Sequence, residues 1–272
     1  MVGFFVCFCK SNCNKSLNYL DKSTLSVYND IENAECTPNL ELRGDEMGTG
    51  KRVSKKQILT NQLLHSAAVL LLEKGYTETT TAEIARKAEV TESNLFRIFH
   101  DKEGILYTLV QHVFNEQFNV AAKIVQGSND PVLMYAIETA LQFHITNQSE
   151  PLRDIYVAAY TLPSTTEYIY EHTAQKLYEL FKDNFPNYEM KDFLELEYAS
   201  GSITRGYMAQ KCDWYFTIDR KINRFLETAL RVYKVPEEKI KEMQTKVHQV
   251  GLDKVAAQLI DGIVERARSG TL

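Results

Sequence analysis

Turn-forming residues are scarce in this chain of 272 residues, which holds 12 glycines and 6 prolines. An all-β sandwich or barrel needs a turn every few residues, so the scarcity argues against one and leaves a mostly helical chain as the expectation. Long apolar runs are lacking too, and none approaches the roughly 20 residues that a bilayer-spanning helix requires. The longest, Gly3 to Cys9, has no basic stretch before it and runs into Lys10, Ser11 and Asn12, so it does not read as a signal peptide. No membrane partner is expected.

Cysteine is nearly missing from the body of the chain: Cys7, Cys9, Cys13 and Cys36 lie near the start and Cys212 alone in the rest. The C-x-C-x-x-x-C spacing has no His or Cys pair nearby to complete a metal site, and one thiol in the body fits a reducing cytoplasm. Catalytic signatures are absent as well: there is no D-D-x-x-D, H-E-x-x-H, G-x-S-x-G or Gly-rich nucleotide loop. Gly48-Thr49-Gly50-Lys51 fails as a phosphate loop, because Asp45 and Arg52 occupy the positions that need Gly and Ser or Thr. His144, His172 and His248 are far apart and none has a ligand-type partner four residues on. No enzyme activity, metal or cofactor is therefore expected. Excess positive charge is lacking too, with 31 Lys and Arg against 36 Asp and Glu and a net charge of -5. Any contact with nucleic acid must come from a local patch.

What is present is a soluble globular composition, 44% hydrophobic and 25% charged, and a strong helical pattern. From Lys56 to Lys74 the apolar positions Leu63, Ala67, Leu70 and Leu71 recur on one helical face, and Gly75 ends the segment. Thr80 and Glu83 form a capping box before Ile84, Ala85 and Ala88, which predicts a short helix over about Thr81 to Ala88. Glu89 and Val90 make a turn, Thr91 caps the next helix, and Leu95 and Phe99 set its inner face. Ser93, Asn94 and Arg97 point the other way. Two short helices joined by a tight turn, the second with small polar and basic residues outside, suit a major-groove reader. A longer helix follows from Asp101 to Gln126.

These residues resemble the TetR/AcrR family of bacterial helix-turn-helix transcriptional regulators. The family pattern is met by Gly75-Tyr76, Thr79-Thr80-Thr81, Ile84-Ala85, Ala88-Glu89-Val90-Thr91, Leu95-Phe96, Phe99 and Lys102-Glu103. Three departures stand out: Glu89 replaces the turn glycine, Phe96 the usual tyrosine and Ile98 a frequent His or Tyr. The first puts a β-carbon where a left-handed turn is required, at about 1 kcal/mol. The resemblance implies that Thr80 and Lys102 contact the DNA backbone and that Thr91, Glu92, Ser93, Asn94, Phe96, Arg97 and His100 lie along or beside the recognition helix. Arg97 would read guanine or bind phosphate. Lys51, Arg52, Lys55 and Lys56 form a basic arm, since no acidic residue occurs between Met47 and Glu73; such an arm can follow phosphates or enter the minor groove.

Beyond Asn129 the chain reads as helices punctuated by prolines: Val132 to Asn147, Leu152 to Thr161, Ser164 to Asn184, Met190 to Cys212, Ile218 to Val235 and Glu237 to Ala267. Aromatic residues are mixed with isolated polar ones there. Tyr135, Phe143, His144, Tyr156, Tyr160, Tyr198, Arg205 and Trp214 are the candidate lining of a small-molecule pocket, with ordinary core and interface as the other reading. Arg205 would pair with Glu195 or Glu197 or receive an anionic ligand. Gly201 and Gly206 sit in a helix at a cost of roughly 1 kcal/mol each, which points to a close helix crossing. In the resembled family two late helices pair with their two-fold mates, which implies a homodimer and a palindromic operator.

The expectation is thus an all-α protein. Residues 1–50 are a non-native or disordered extension, 51–101 a helix-turn-helix domain of three helices, 102–128 a connecting helix, and 129–272 a larger helical ligand-binding and dimerisation domain. The segment before Met47 is rich in Asn, Ser and Cys, and Arg43-Gly44-Asp45-Glu46 is what a purine-rich ribosome-binding site gives when translated, so the native start is expected at Met47. The expected function is a cytoplasmic, ligand-responsive repressor, homodimeric on double-stranded operator DNA, with an unknown small-molecule effector. The alternative is an all-α small-molecule-binding or interaction protein that does not regulate DNA.

Overall fold

The computed structural model describes residues 54–126 and 128–269. All regular structure among them is helical. Helix α1 spans Lys55–Lys74, α2 Thr81–Lys87, α3 Glu92–Phe99 and α4 Lys102–Ile124. The body follows as α5 Pro131–Gln148, α6 Glu150–Ala159, α7 Pro163–Phe181, α8 Met190–Ala209, α9 Ile218–Val232, α10 Glu237–Val247 and α11 Leu252–Ser269. The starts are capped by their own sequence: Ser54 on α1, Thr80 on α2, Thr91 on α3, Asp101 on α4, Asp130 on α5 and Ser149 on α6 all accept a backbone N–H. Prolines 131, 151 and 163 stand in the first turns of α5, α6 and α7, where a missing N–H removes no helical bond.

Two apolar cores and a bridge between them organise the chain. Leu63, Ala67, Ile84, Ala85, Ala88, Leu95, Phe99 and Ile105 form the small core that holds α1, α2 and α3 against the start of α4. The larger core is built around α5, which is buried along most of its length and packs on α4, α6, α9, α10 and α11. Phe143, Phe181, Phe193, Phe225 and Tyr233 are its largest fully buried members. Burying each such side chain contributes about 1.5–3 kcal/mol, so this core rather than helix propensity sets the arrangement. Leu106, Ala159 and Ile169 form the bridge, through which α4 of the small unit meets α6 and α7 of the body.

One expected element is corrected. The pattern from Glu237 to Ala267 predicts one helix, but it is broken into α10 and α11. Gly251, at φ 65°, turns the chain between them, a backbone state that glycine enters without a side-chain penalty. The break folds α11 back against α5 and α1.

Candidate functional site

The reader face is assembled by local rules. Leu95 and Phe99 bury against Ile84 and Leu63, which turns the opposite side of α3 outward. Thr91, Glu92, Ser93, Phe96 and Arg97 are exposed and Asn94 is half-buried. Asn94 Oδ1 accepts from Arg97 Nη2 at 2.8 Å, so the guanidinium is held beside an amide on the outer face, with its other donors unclaimed by that bond. The Phe96 ring, 43% exposed, is an apolar surface able to meet sugar or a thymine methyl. His100 follows at φ 67°, its N–H bonded to Phe96 O, and is exposed. Glu89 sits in the turn between α2 and α3 at φ 55°, the left-handed state that the sequence pattern implied for a glycine there.

Thr80 opens α2 in a full capping box: its Oγ1 accepts from Glu83 N, and the Glu83 carboxylate accepts from Thr80 N at 3.1 Å. Lys74 bonds the same carboxylate at 2.6 Å, and with Thr80 it holds Glu83 down to about 2. Lys55 and Lys56 are exposed in the first turn of α1; Lys51 and Arg52 lie outside the described residues. Lys102, for which the resemblance implied a contact to the DNA backbone, is engaged within the protein. Its Nζ donates to Tyr76 O at 2.7 Å and Thr79 O at 2.8 Å and lies 4.1 Å from the centre of the Tyr76 ring. Burial lowers its pKa, and the ammonium pins the loop before α2 to the start of α4.

Behind the reader lies a cavity of about 280 Å³. Its wall comes from both units: Leu64, Ala68 and Leu71 of α1, Leu106, Leu109 and Val110 of α4, and residues of α5, α6, α7, α8 and α11. Most of the wall is apolar, but its α5 side carries Glu138, Thr139 and Gln142, and Glu197 comes from α8. Gln142 Nε2 donates to Glu138 Oε1 at 2.5 Å, and Tyr160 O–H donates to Gln142 Oε1 at 3.3 Å. Glu197 Oε2 accepts from Ser200 Oγ at 2.5 Å, and Ser200 Oγ is 2.6 Å from Tyr233 Oη. Burial raises Glu138 to about 7 and Glu197 to about 8, because an ionised carboxylate loses its hydration there.

Comparison with known proteins points to one family of regulators. Residues 63–108, which are α1 to the start of α4, match the family model of bacterial regulatory proteins of the tetR family. Over those residues the chain is similar to the helix-turn-helix segment of that family. The uncharacterised regulator YvkB of Bacillus subtilis (strain 168) is 28% identical over 197 residues, which is 70% of this chain and 95% of YvkB. TcmR of Streptomyces glaucescens is 30% identical over 107 residues, 39% of this chain and 43% of TcmR. HbdR of Aromatoleum sp. (strain CIB) is 31% identical over 72 residues, 26% of this chain and 31% of HbdR. All three are HTH-type transcriptional regulators. In fold, the chain is similar to RolR in its crystal structure with resorcinol, at a TM-score of 0.56 and 16% identity over 70% of this chain and 94% of RolR. These likenesses support a DNA-binding transcriptional regulator.

Of the residues put forward from sequence as a pocket lining, Tyr135, Tyr156 and Tyr160 lie on the cavity wall. Phe143 is fully buried in the large core, 4.8 Å from Phe225 between ring centres. His144 is half-buried on α5 away from the cavity lining. Tyr198 is 52% exposed and Trp214 90% exposed, Tyr198 on the outer face of α8 and Trp214 in the loop before α9, so neither faces the cavity. Arg205 is half-buried on α8, and Glu197, offered as its partner, turns inward to Ser200 and Tyr233 instead. Sequence reasoning missed Glu138, Thr139 and Gln142. The signal was available in α5, where three polar residues interrupt an otherwise apolar helix.

Proposed function

We propose that this regulator is a homodimeric repressor whose operator binding is released by a small-molecule effector held in the cavity. The observation that carries the reading is the shared wall: α1 and α4, which position the reader, face the same cavity as α5 to α8. A molecule filling that space touches both units at once. Binding that favours one placement of α4 over another changes the spacing of two recognition helices in a dimer, and by linkage DNA weakens effector binding by the same factor. That the RolR structure holds resorcinol supports placing an effector within this kind of helical body.

Pairing of two copies fits the outer side of α8. Tyr198, Ala199, Ser202 and Gly206 are exposed there, and a β-carbon at Gly206 meets nothing within 4 Å in one protomer. Small residues let a second helix approach closely. Gly201, by contrast, is used inside the protomer, where a β-carbon would strike the Tyr170 ring of α7. A dimer places two readers on successive turns of one DNA face and calls for an operator with two-fold symmetry.

The test is titration of labelled DNA from the promoter of the protein's own gene, with stoichiometry followed by sedimentation. Two chains per site, a steep loss of affinity with salt, and a drop of about tenfold or more for Arg97→Ala are expected. Affinity no better than for random DNA at moderate salt sinks the repressor reading and favours a binding protein that does not regulate DNA.

A further inference from the structure

Every large apolar side chain that the described part of the body leaves exposed lies on α8 or beside one of its ends. Tyr188 and Met190 stand at its start, Tyr198 on its outer side, and Trp214 and Tyr215 in the loop after it; the other two in the chain, Ile58 and Phe96, belong to the reader. Exposed apolar surface gathered in one place marks an interaction face. The two ends of this face differ in shape. At the start, Met190 and Leu194 line a groove whose rim carries Glu171 of α7, Glu189 and Lys191, and Lys191 is paired with Glu189 at 3.1 Å. At the far end Trp214 projects, 90% exposed, from a turn fixed by its own bonds. Asp213 Oδ1 accepts from Tyr215 N at 2.8 Å and from Phe216 N at 2.6 Å. Arg220 donates to Tyr215 Oη at 2.9 Å, its guanidinium 4.4 Å from the ring centre. The Asp213 carboxylate is thus engaged inside the turn, while two exposed cations, Arg220 and Lys211, flank the indole; Lys211 is held only at 4.0 Å from Glu150. A rigid aromatic held out in water loses little freedom on docking, which is the property of a binding anchor.

Resting on the homodimer reading, we infer that Trp214 of each protomer docks in the α7–α8 groove of the other, against the partner's Met190 and Leu194, with the two α8 helices antiparallel about a two-fold axis near Ser202. Met190 and Trp214 lie equally far before and after Ser202 in the sequence, so an antiparallel pairing centred there brings the start of one α8 to the end of the other. Tyr198 and Gly206 are also evenly spaced about Ser202. The same pairing therefore sets the Tyr198 ring against the partner's Gly206, where open space stands in place of a β-carbon. The cations beside Trp214 then meet the acids on the groove's rim. Parallel pairing of the same faces would oppose Lys211 and Arg220 to their own copies and tyrosine to tyrosine, and would leave the groove unfilled. A face that carries both knob and hole at opposite ends is complementary to a second copy of itself.

Trp214 is the chain's one tryptophan, so its fluorescence reports this contact without a label. In the full-chain dimer, defined by sedimentation, its emission should lie at shorter wavelength than that of N-acetyltryptophanamide, with acrylamide quenching at least about threefold weaker because the ring is buried. Met190→Asp, at the opposite end of α8 and in a first turn where an acid suits the helix, should restore quenching and weaken dimerisation with helical circular dichroism intact. Trp214→Ala should weaken dimerisation by about thirtyfold. Glu171→Lys should weaken it too, and adding Lys211→Glu on the same chain should recover part of the loss. A dimer whose tryptophan quenches as freely as the reference compound overturns the inference and leaves the homodimer reading standing. So does a shielded tryptophan that Met190→Asp leaves unchanged, since another surface then covers the loop. A chain that sediments as a single copy both free and on operator DNA overturns the homodimer reading and the inference together.

Discussion

Glu89 is the residue where local chemistry and fold disagree. Its backbone is left-handed at φ 55°, which an L side chain enters at a cost that glycine avoids. Glu89→Gly should therefore stabilise the chain by about 1 kcal/mol and raise the thermal midpoint by about 2–4 °C, with DNA affinity retained; an unchanged or lower midpoint would mean that the turn carries no strain. Glu138 and Glu197 make a second prediction. Both have an ordinary value of 4.5 and are raised by burial to about 7 and about 8. Between 4.5 and those values the folded chain holds protons that the unfolded chain has lost, so their contribution to stability falls as pH rises through that window. Denaturant midpoints recorded from pH 5 to 8 should decline, and Glu138→Gln should flatten the decline by removing one of the two titrating groups.

Helices one to four were legible from sequence because each signal is local: the capping box of Thr80 and Glu83, the glycine at 75 and the inner pair Leu95 and Phe99 are all read within a few residues. The body was legible in element type and in most boundaries, since its prolines mark helix starts. Its last helix was misjudged because Gly251 is a weak breaker by pattern alone. The cavity was largely illegible. A tyrosine on an amphipathic helix serves a core and a pocket equally well, and only the packing of α1 and α4 on α5 decides which side of Tyr135 or Tyr198 meets empty space. The junction of α3 and α4 gives a sharp test of the local rules. A β-carbon at Gly104 would collide with the backbone oxygen of Phe99, and backbone cannot swing aside as a side-chain tip does. Gly104→Ala should cost about 1–3 kcal/mol and lower DNA affinity by displacing α3.

Reader and body are joined by more than the shared bridge core. Asp154 of α6 accepts from Thr77 N at 2.6 Å and Thr77 Oγ1 at 2.8 Å, in the loop that leads into α2. Gly75 is kept free of a β-carbon at the same place, since one would lie 2.7 Å from Asp154 Oδ2. Glu103, in the first turn of α4, accepts from Ser164 N at 2.9 Å and from its hydroxyl at the start of α7. Two acids thus tie α6 and α7 to the two ends of the reader. Asp154→Ala should leave operator affinity of the unliganded chain within about threefold, while the effector's ability to release DNA falls by about 1–3 kcal/mol of coupling; gel-shift titrations with and without effector would measure both, and undiminished release would rule the latch out. The same latches bear on the building of hybrid regulators. A cut placed after α4 separates Thr77 from Asp154 and Glu103 from Ser164, so a graft of this reader onto a relative's body would keep two working halves that no longer answer each other unless both pairings are rebuilt across the seam.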